Sequence, residues 1–376
     1  MYARQSIDQN DIDAVVQSLK KDLITRGAQV EAFEEALKET TQARYCVVMN
    51  SGTTALEAAY YALEGGPSDR ILSTPNTFIA TIGPGVRRGM TPVFVDIDRN
   101  TGNFNLELVL ENLDFQSSRG RLFIAPVHFS GIAVDMKKIY NALKNPRTVI
   151  IEDAAHAIGS LYPSGEKVGS CTFADMTILS FHPAKVITSG EGGAILTNDE
   201  ALYKKLLLFR NNGIVRKSAW EYNCEALRGN HNFTEMQGAL GLSQLKRLDK
   251  FVLKRRKLVK LYHELLKGFE GIRLFSDEPI DRTAYHLMVA QIDFKKFKTD
   301  RTAVMAKLKE KNFGTQLHYI PLYRHTAISN ITGDLTSYFP EMEKYFEEAL
   351  SLPLYYDLTE KDVESFVENL KRILLA

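Results

Sequence analysis

Short apolar runs bounded by turn residues alternate along the chain with amphipathic stretches of helical period, from about Tyr45 onward. The runs are Cys46 to Met49, Ile71 to Ser73, Pro92 to Val95, Leu122 to Val127, Val149 to Ile151, Met176 to Phe181 and Ala194 to Leu196. Alternation of this kind predicts an α/β sheet whose strands are mostly parallel. Several runs end in polar residues. Because ligands of open α/β sheets bind outside the carboxyl ends of the strands, chemistry is expected at those endings.

The pattern changes after Thr234-Glu235-Met236-Gln237 to a long helical stretch with a leucine- and valine-rich side. This change predicts a large domain over residues 1–245 and a smaller C-terminal α/β domain over residues 246–376. The helical stretch also carries a series of basic residues: Lys246, Arg247, Lys250, Lys254, Arg255, Arg256, Lys257 and Lys260. A nucleic-acid patch is one interpretation, but a solvated helix face is favoured because no aromatic ladder accompanies the charges.

Composition narrows the class of protein. The 376 residues carry 47 Lys and Arg against 46 Asp and Glu, so no global field recruits nucleic acid or an anionic membrane. Three cysteines without CxxC pairing argue against a disulfide scaffold or a zinc site. No signal-like start and no apolar run of membrane-spanning length is present. We therefore expect a cytoplasmic protein without membrane or nucleic-acid partners.

A short polar segment follows the first apolar run. Asn50-Ser51-Gly52-Thr53-Thr54 separates it from an apolar helical stretch, Ala55 to Leu63. Small residues at a helix start leave backbone N–H groups free, and the helix dipole favours negative charge there, so Gly52, Thr53 and Thr54 could hold a phosphate. An ordinary helix cap explains the same residues about as well. No Gly-Lys-Ser/Thr follows, which excludes a Walker loop.

Two carboxylates and a histidine stand just past another strand, where Val149-Ile150-Ile151 runs into Glu152-Asp153-Ala154-Ala155-His156. A carboxylate at such depth needs a cationic or hydrogen-bonding partner. A protonated pyridine nitrogen opposite Asp153 would supply one. The alternative is a metal site built from Asp153 and His156, and it is less favoured because no second cluster with ligand spacing supports it.

Lys185 lies in Ser180-Phe181-His182-Pro183-Ala184-Lys185, just before Ser189-Gly190-Glu191-Gly192-Gly193. An amine held there could form a Schiff base if burial or a nearby positive group disfavours its charged form. Most lysines are solvated surface charges, so this hypothesis depends on the other residues. Phe78 could cover one face of a flat ring while Ala155 packs on the other, although aromatic side chains are mostly core residues.

Five segments together resemble the DegT/DnrJ/EryC1/StrS family of nucleotide-sugar aminotransferases, in the family's order and over nearly the whole chain. They are Asn50 to Ala55, Thr74 to Thr81, Glu152 to His156, Ser180 to Lys185 with Thr188 to Gly193, and Asn230 to Gly241. The resemblance implies a fold-type I transferase that depends on pyridoxal 5'-phosphate (PLP) and its amino form, PMP. It also implies a homodimer with active sites at the subunit interface. The expected fold is α/β, with a mostly parallel mixed sheet in the large domain.

The resemblance also implies roles for individual residues. Lys185 would carry the cofactor as a Schiff base and transfer protons. Asp153 would pair with the pyridine nitrogen, and His156, where many family members have Gln, would hydrogen-bond the phenolic oxygen. The other implied cofactor contacts are Gly52, Thr53, Thr54, Ser180 and Asn230 of the partner subunit at the phosphate, and Phe78 and Ala155 at the ring faces.

Substrate-side segments resemble, more loosely, the transaminases of pseudaminic acid biosynthesis. These segments are Gly159 to Tyr162, Lys167 to Gly169, Asn212 to Val215 with Trp220, and His318 to Tyr323. They imply C4 amination of a UDP-4-keto-6-deoxy-N-acetylhexosamine, UDP-2-acetamido-2,6-dideoxy-β-L-arabino-hex-4-ulose, by L-glutamate. Another UDP- or dTDP-keto sugar is the alternative. His318, Tyr319 and Tyr323 are expected to line the sugar pocket, or else to pack at a domain interface.

Arg26, in Thr25-Arg26-Gly27, is expected to contact the substrate's pyrophosphate, with an exposed loop residue as the alternative. A second departure from the family is that its usual Gly-Tyr-Asn-Tyr-Arg is replaced here by Arg228-Gly229-Asn230-His231-Asn232. The usual arginine is therefore absent, and a different register would place Asn232 instead of Asn230 at the phosphate.

Two other functions are possible on the same fold. A PLP- or PMP-dependent sugar dehydratase is disfavoured because that group typically has histidine at the position of Lys185. A non-catalytic regulator is disfavoured by the complete set of Lys185, Asp153 and Ser180.

Overall fold

The computed structural model describes residues 1–111, 120–275 and 280–376. The helices are α1 (Gln9–Leu19), α2 (Ala28–Thr41), α3 (Gly52–Ala62), α4 (Gly83–Arg87), α5 (Leu106–Glu111), α6 (Met136–Leu143), α7 (Glu200–Arg210), α8 (Glu235–Leu245), α9 (Leu248–Leu266), α10 (Arg301–Glu310), α11 (Thr326–Thr332), α12 (Pro340–Glu348) and α13 (Glu360–Leu375). The strands are β1 (Tyr45–Met49), β2 (Arg70–Ser73), β3 (Thr91–Phe94), β4 (Leu122–Ala125), β5 (Thr148–Asp153), β6 (Met176–Ser180), β7 (Gly193–Thr197), β8 (Ile214–Arg216), β9 (Tyr222–Cys224), β10 (Ile272–Leu274), β11 (Met288–Ile292) and β12 (Ala349–Leu352).

Each apolar run of the sequence forms a strand of one seven-stranded sheet, in the order β1-β7-β6-β5-β4-β2-β3. Strand β7 is antiparallel to both of its neighbours, and the pairs from β6 to β3 are parallel. The mostly parallel mixed sheet and the α/β class predicted from the sequence are confirmed. Since parallel strands point the same way, β2, β4, β5 and β6 all end at one edge of the sheet.

Helices cover both faces of this sheet, which explains why its strands are continuous apolar runs. Side chains of one strand alternate between two buried clusters. Ile150 of β5 belongs to one cluster with Val48 and Leu179, and the next residue, Ile151, belongs to the other. The side chains of Ile150 and Ile151 are both fully buried. Burial on both faces fixes the strand register, since a slip by one residue would exchange the two faces.

A second sheet of three antiparallel strands, β10-β11-β12, packs with α9, α10 and α13 around a third apolar cluster. The division at residues 245 and 246 stays a prediction. Helix α8 ends at Leu245 and α9 begins at Leu248, so the proposed boundary lies between two helices. However, Met342 and Tyr345 pack in the same cluster as residues of the large sheet, which ties the C-terminal part firmly to it.

The helical stretch after Thr234 is two helices rather than one. Helix α8 begins at a capping box in which Thr234 and Gln237 hydrogen-bond each other's backbone N–H. The solvated basic face expected for α9 is wrong for Arg255, which is 2% exposed and whose Nη1 donates to the carbonyls of Tyr285, His286 and Leu354. A basic residue on an amphipathic helix can thus be buried, because its guanidinium group can donate hydrogen bonds to several backbone carbonyls at once.

Candidate active site

A cavity of about 380 Å³ opens where the parallel strands of the large sheet end. Its walls come from the start of α3, from the segments that follow β2, β5 and β6, and from two C-terminal segments. Most of the residues selected from the sequence line it: Gly52, Thr53, Phe78, Asp153, Ala155, His156, Ser180, Lys185, His318 and Tyr319. Residues from distant parts of the chain therefore converge at the edge of the sheet, as the strand endings predict.

The first turn of α3 forms one end of the cavity. Ser51 caps the helix by accepting the Thr54 N–H at 3.1 Å, and the N–H groups of Gly52 and Thr53 lie in the first turn, where no carbonyl of the helix accepts them. A Cβ placed on Gly52 would come 3.1 Å from Cβ and 3.2 Å from Oγ of Ser180. Glycine therefore keeps the space between the helix start and the Ser180 hydroxyl open, as an anion cradle requires.

Thr54 differs from the expectation for this cradle. Its N–H is used by the Ser51 cap, its hydroxyl lies 2.9 Å from Ser51 Oγ, and it is absent from the cavity wall. The Thr54 N–H is therefore satisfied within the helix cap and is not free to bind a phosphate.

Asp153 ends β5 and is buried at the floor of the cavity. Its Oδ2 accepts the Thr81 hydroxyl at 2.6 Å, and its Oδ1 accepts the Ala155 N–H at 3.1 Å. Burial raises the pKa of this carboxyl, while the two hydrogen bonds and the charge of Lys185 act in the opposite direction. Burial outweighs the opposing contributions, and a protonated ring nitrogen at this carboxylate would be a cationic partner that favours its charged form.

Lys185 reaches the same cavity from the turn after β6. Burial of its amine lowers its pKa from 10.5 to about 8, and the charge of Asp153 opposes that shift. An appreciable fraction of the amine is therefore unprotonated near neutral pH and able to attack a carbonyl. Phe78 borders the same space with 56% of its surface exposed, so its ring is available to cover a ligand.

Three buried histidines line the same cavity: His156, His286 and His318. His156 Nδ1 accepts the Ser130 N–H at 3.3 Å, so the proton of the neutral ring is on Nε2, which lies 3.2 Å from the Tyr319 hydroxyl. Burial lowers the pKa of His156 far below its ordinary value, and the charges of Lys185 and His318 act in the same direction. His156 is therefore a neutral donor to Tyr319, and it orients the Tyr319 hydroxyl proton away from itself.

His318 is held by a hydrogen bond between its Nδ1 and Ser351 Oγ, at 2.8 Å. Burial lowers the pKa of His318 to about 3, so this ring is also uncharged at neutral pH. His286 is the third histidine, and its ring centroid lies 4.3 Å from that of His156. Burial and then the nearby His156 lower the pKa of His286 far below its ordinary value. No arginine lines the cavity within the described residues.

Besides Thr54, three residues expected at the site lie outside the cavity of this chain. Tyr323 packs against Phe94 and Phe339, and its hydroxyl donates to Glu343 at 2.8 Å, so it does not line this cavity and is packed as the alternative expectation described. Arg26 is exposed and donates to Asn211 at 3.0 Å. Asn230 is exposed and accepts from Asn232 at 2.7 Å, so neither Arg26 nor Asn230 borders this cavity.

Sequence reasoning missed Tyr2, Thr81 and His286. Tyr2 and His286 line the cavity, and Thr81 holds Asp153. Tyr2 and His286 stand far along the chain from the polar strand endings that identified the other residues, and no local motif marks them. Thr81 could have been suspected, since it lies in the segment Thr74 to Thr81 that carries part of the family resemblance.

Glu152, beside Asp153 on β5, points to the opposite side of the strand. It is fully buried, and it accepts from Tyr162 at 2.7 Å and 2.8 Å and from Thr177 at 2.6 Å. Burial raises the pKa of Glu152 to about 7, although these hydrogen bonds oppose the shift. Of the two adjacent carboxylates, therefore, only Asp153 is available to a ligand.

The donor set fits PLP better than a metal ion. The cradle at Gly52, the carboxylate of Asp153 and the amine of Lys185 are the groups that a phosphate, a pyridine nitrogen and an aldehyde require. Within the described ranges, no group of three or more His, Cys, Asp or Glu side chains is arranged to hold a metal ion.

No helix in those ranges is both long and apolar enough to cross a membrane.

Comparisons with known proteins agree with this chemistry. The sequence pattern that defines the DegT/DnrJ/EryC1/StrS aminotransferase family matches residues 5–371 of this chain. A UDP-4-amino-4,6-dideoxy-N-acetyl-beta-L-altrosamine transaminase of Campylobacter jejuni subsp. jejuni serotype O:23/36 is 36% identical over 376 residues, which cover 99% of this chain and 97% of the relative.

Solved structures extend the likeness to the fold. Helicobacter pylori PseC, an aminotransferase involved in the biosynthesis of pseudoaminic acid, superposes with a TM-score of 0.92 at 28% identity, covering 100% of this chain and 98% of that one. The PMP form of the putative sugar aminotransferase Spr1654 from Streptococcus pneumoniae has a TM-score of 0.89 at 26% identity, with 100% and 98% coverage. The Streptococcus pneumoniae protein is also known in a PLP form.

Proposed function

The chain belongs to the DegT/DnrJ/EryC1/StrS aminotransferase family, and we propose that it aminates a nucleotide-linked keto sugar at C4 with PLP as cofactor. The family is PLP-dependent. The observation that carries the proposal is the convergence of Lys185, Asp153 and the Gly52 cradle in one cavity. The amine would bind the cofactor's aldehyde, the carboxylate its ring nitrogen and the cradle its phosphate. The three groups follow three different strands.

The residues would share the work of holding the cofactor. Gly52, Thr53 and Ser180 would bind its phosphate, and Asp153 would face its ring nitrogen. Phe78 and Ala155 would enclose the ring, with His156 and Tyr319 at its oxygen side. When bound, PLP would supply an electron sink and a temporary store for the amino group. Thr81 keeps Asp153 in place, since its hydroxyl donates to the carboxylate at 2.6 Å.

Lys185 would move the protons. Its amine has a pKa of about 8, so the unprotonated form can take a proton from Cα of the donor amino acid. The same amine would return a proton to C4 of the sugar in the second half of the reaction. His156, His286 and His318 are poor competitors for these protons, because burial keeps all three uncharged. One base thus serves both half-reactions, and the kinetics should be ping-pong.

The proposed substrates are L-glutamate and UDP-2-acetamido-2,6-dideoxy-β-L-arabino-hex-4-ulose, in a pathway of pseudaminic acid type for a surface glycan. The functions of the Campylobacter transaminase and of Helicobacter pylori PseC support this choice, at 36% and 28% identity. The neutral polar wall of His318 and Tyr319 is compatible with an uncharged hexose ring. A different UDP- or dTDP-keto sugar is the alternative.

We also propose a homodimer in the cytoplasm. The support is the place of Asn230 and Arg26, which are exposed, lie outside the cavity of their own chain, and hydrogen-bond to the half-buried Asn232 and Asn211 respectively. In a dimer with shared sites, Asn230 of the partner subunit would complete the phosphate cradle, and Arg26 would reach the substrate pyrophosphate. This arrangement would supply an arginine, which the cavity of one chain lacks within the described residues.

A substrate panel tests the proposed reaction. The purified protein with PLP and L-glutamate is incubated with UDP- and dTDP-linked 4-keto sugars, and products are identified by mass spectrometry and NMR. The expected result is a C4 amino sugar and one 2-oxoglutarate for each amine transferred, with the UDP-N-acetyl sugar turned over most efficiently. If no keto sugar in the panel is aminated while glutamate is consumed in the first half-reaction, the acceptor class is wrong.

A further inference from the structure

Arg255 of α9 is a buried cation that lies behind the active-site cavity without lining it. Its Nη1 donates to the carbonyls of Tyr285 and His286, at 3.2 Å each, and to the carbonyl of Leu354 at 3.1 Å. Burial lowers the pKa of Arg255 to about 10, and no carboxylate of the described residues opposes that shift. The side chain is therefore charged at neutral pH. Because burying a charge without an ionised partner is costly, filling space is a poor explanation for an arginine at this position.

The backbone that Arg255 holds has an unusual conformation. Tyr285 has a φ of 49°, in the left-handed region that bulky residues rarely adopt. Ser130, whose carbonyl accepts the His286 N–H at 2.8 Å, is left-handed as well, with a φ of 61°. Residues in such conformations persist only where the surrounding contacts outweigh the strain. The hydrogen bonds from Arg255 to the carbonyls of Tyr285 and His286 are contacts of this kind.

The same junction packs against His156 of the active-site cavity. The Ser130 N–H donates to His156 Nδ1 at 3.3 Å, and the ring centroids of His156 and His286 are 4.3 Å apart. Gly131 leaves no slack between the two segments, since a Cβ added there would come 2.9 Å from the Tyr285 nitrogen and 3.0 Å from the His156 carbonyl oxygen. A shift of the backbone at Tyr285 would therefore reach the His156 ring.

Arg255 also lies next to the turn that carries Lys185. Both residues border a second cavity of about 10 Å³, which has room for about one water molecule. Val186 and Thr188 of the same turn line this second cavity too. Arg255 thus contacts the surroundings of Lys185 on one side and the backbone of His286 on the other, and both of those residues line the active-site cavity.

We propose that Arg255 is a positioning residue for the transamination site. Its guanidinium group keeps the left-handed backbone of Tyr285 in place, and with it His286 against His156. His156 is in turn 3.2 Å from the Tyr319 hydroxyl, on the side of the cavity where the oxygen of the cofactor ring would lie. This inference rests on the proposed function. Arg255 acts on the chemistry only through the two histidines, as a residue that supports the groups in contact with a ligand.

Three substitutions separate this role from a general loss of stability. Arg255→Met removes the charge and every donor at similar length, whereas Arg255→Lys keeps the charge but not the planar set of donors. Tyr262→Phe is the matched control. Tyr262 is on the same helix, is fully buried, lies outside both cavities, and donates to the Pro353 carbonyl at 2.9 Å.

Three measurements are made on each variant. Crystal structures of the cofactor-free proteins give the separation of the His156 and His286 rings. Stopped-flow absorption of bound PLP gives the rate constant of the glutamate half-reaction and the apparent Kd for glutamate. Thermal unfolding of the cofactor-free proteins gives the loss of stability against which the other two are compared.

In Arg255→Met, we expect the separation of the two rings to increase from 4.3 Å. The rate constant should fall by about a hundredfold, because a misplacement of about 1 Å is enough for such a loss. The Kd for glutamate should change by less than about threefold, since a positioning residue affects the chemical step more than binding. Arg255→Lys should fall between wild type and Arg255→Met. Tyr262→Phe should unfold at a lower temperature and keep the wild-type rate constant and ring separation.

Two outcomes would overturn the inference. One is an Arg255→Met variant with the wild-type ring separation and rate constant; if that variant does not fold, the same result in Arg255→Lys has the same meaning. The other is an equal fall of the rate constant in Tyr262→Phe, which would make Arg255 a residue of the fold alone. Failure of the proposed function is distinguishable, because the wild-type protein itself would then show no glutamate-driven spectral change, whereas the ring separation would still report on Arg255.

Discussion

At the scale of residues, the central feature is a set of ionisable groups whose charges are suppressed by burial. Lys185 has a pKa of about 8, and His156 and His318 are neutral. Lys185 and Asp153 were predictable because they follow apolar strands, where a buried charge demands a partner. Tyr2 and His286 were not, since only the tertiary path of distant segments brings them to the cavity.

Glu152 gives a prediction for stability against pH. Burial raises its folded pKa from 4.5 to about 7, so the folded state binds a proton that the unfolded state releases near pH 4.5. Its stabilising contribution is therefore complete below pH 4.5 and is lost as the pH rises through about 7, with a size on the order of 1–3 kcal/mol.

Glu152→Gln should remove this dependence, because an amide keeps the shape but does not titrate. Urea denaturation of the cofactor-free protein from pH 5 to pH 8 measures it. The difference in unfolding free energy between wild type and variant should shift in favour of the variant as the pH rises. A difference that stays constant over this range would show that Glu152 does not titrate there.

At the scale of elements, the sequence predicted the seven strands of the large sheet to within about two residues, because both faces of that sheet are buried and its strands are continuous apolar runs. It did not predict that β7 is antiparallel to its neighbours, since hydrophobic pattern carries no strand direction. The break between α8 and α9 was also missed, because the apolar side continues across Lys246 and Arg247. Helix α3 begins at Gly52, three residues before the helical stretch predicted from Ala55, so that its cap and the phosphate cradle lie in one turn.

The first turn of α3 gives a prediction that separates binding from stability. In Gly52→Ala, the new Cβ would stand 3.1 Å from Ser180 Cβ and occupy part of the cradle. PLP affinity should fall by about tenfold, as for the loss of one good hydrogen bond. The melting temperature of the cofactor-free protein should not fall, because alanine is the better helix former by up to about 1 kcal/mol.

Gly66→Ala is the control for this change, since a Cβ at Gly66 would meet nothing within 4 Å. Spectral titration with PLP and thermal unfolding measure the two quantities. Unchanged PLP affinity in Gly52→Ala would mean that the phosphate binds elsewhere.

At the scale of the whole molecule, the sheet order and the tie between the C-terminal part and the large sheet depend on long-range packing that no local pattern encodes. The position of the domain boundary remains a prediction for the same reason. The proposed second subunit would cover the exposed Arg26 and Asn230, and the sequence implied such a subunit only through resemblance.

Subunit mixing tests that explanation. Lys185→Ala removes the amine of one site, and Asn230→Ala removes the residue proposed to serve the partner's site. If Asn230 acts across the interface, a mixed dimer has one intact site, and an equal mixture should regain about a quarter of wild-type activity. Mixtures that stay as inactive as the parents would place Asn230 in its own subunit's site, and Asn232→Ala repeats the test for the alternative register.

The most direct measurement of the central claim is the visible spectrum of the purified protein with PLP, before and after addition of L-glutamate, in wild type, Lys185→Ala and the surface control Lys204→Ala. Wild type and Lys204→Ala should show the absorption of lysine-bound PLP and lose it when glutamate converts the cofactor to PMP. Lys185→Ala should show neither the lysine-bound band nor a catalytic conversion. A wild-type protein that gains no such band after incubation with PLP, or a Lys185→Ala variant that behaves like wild type, would contradict the account.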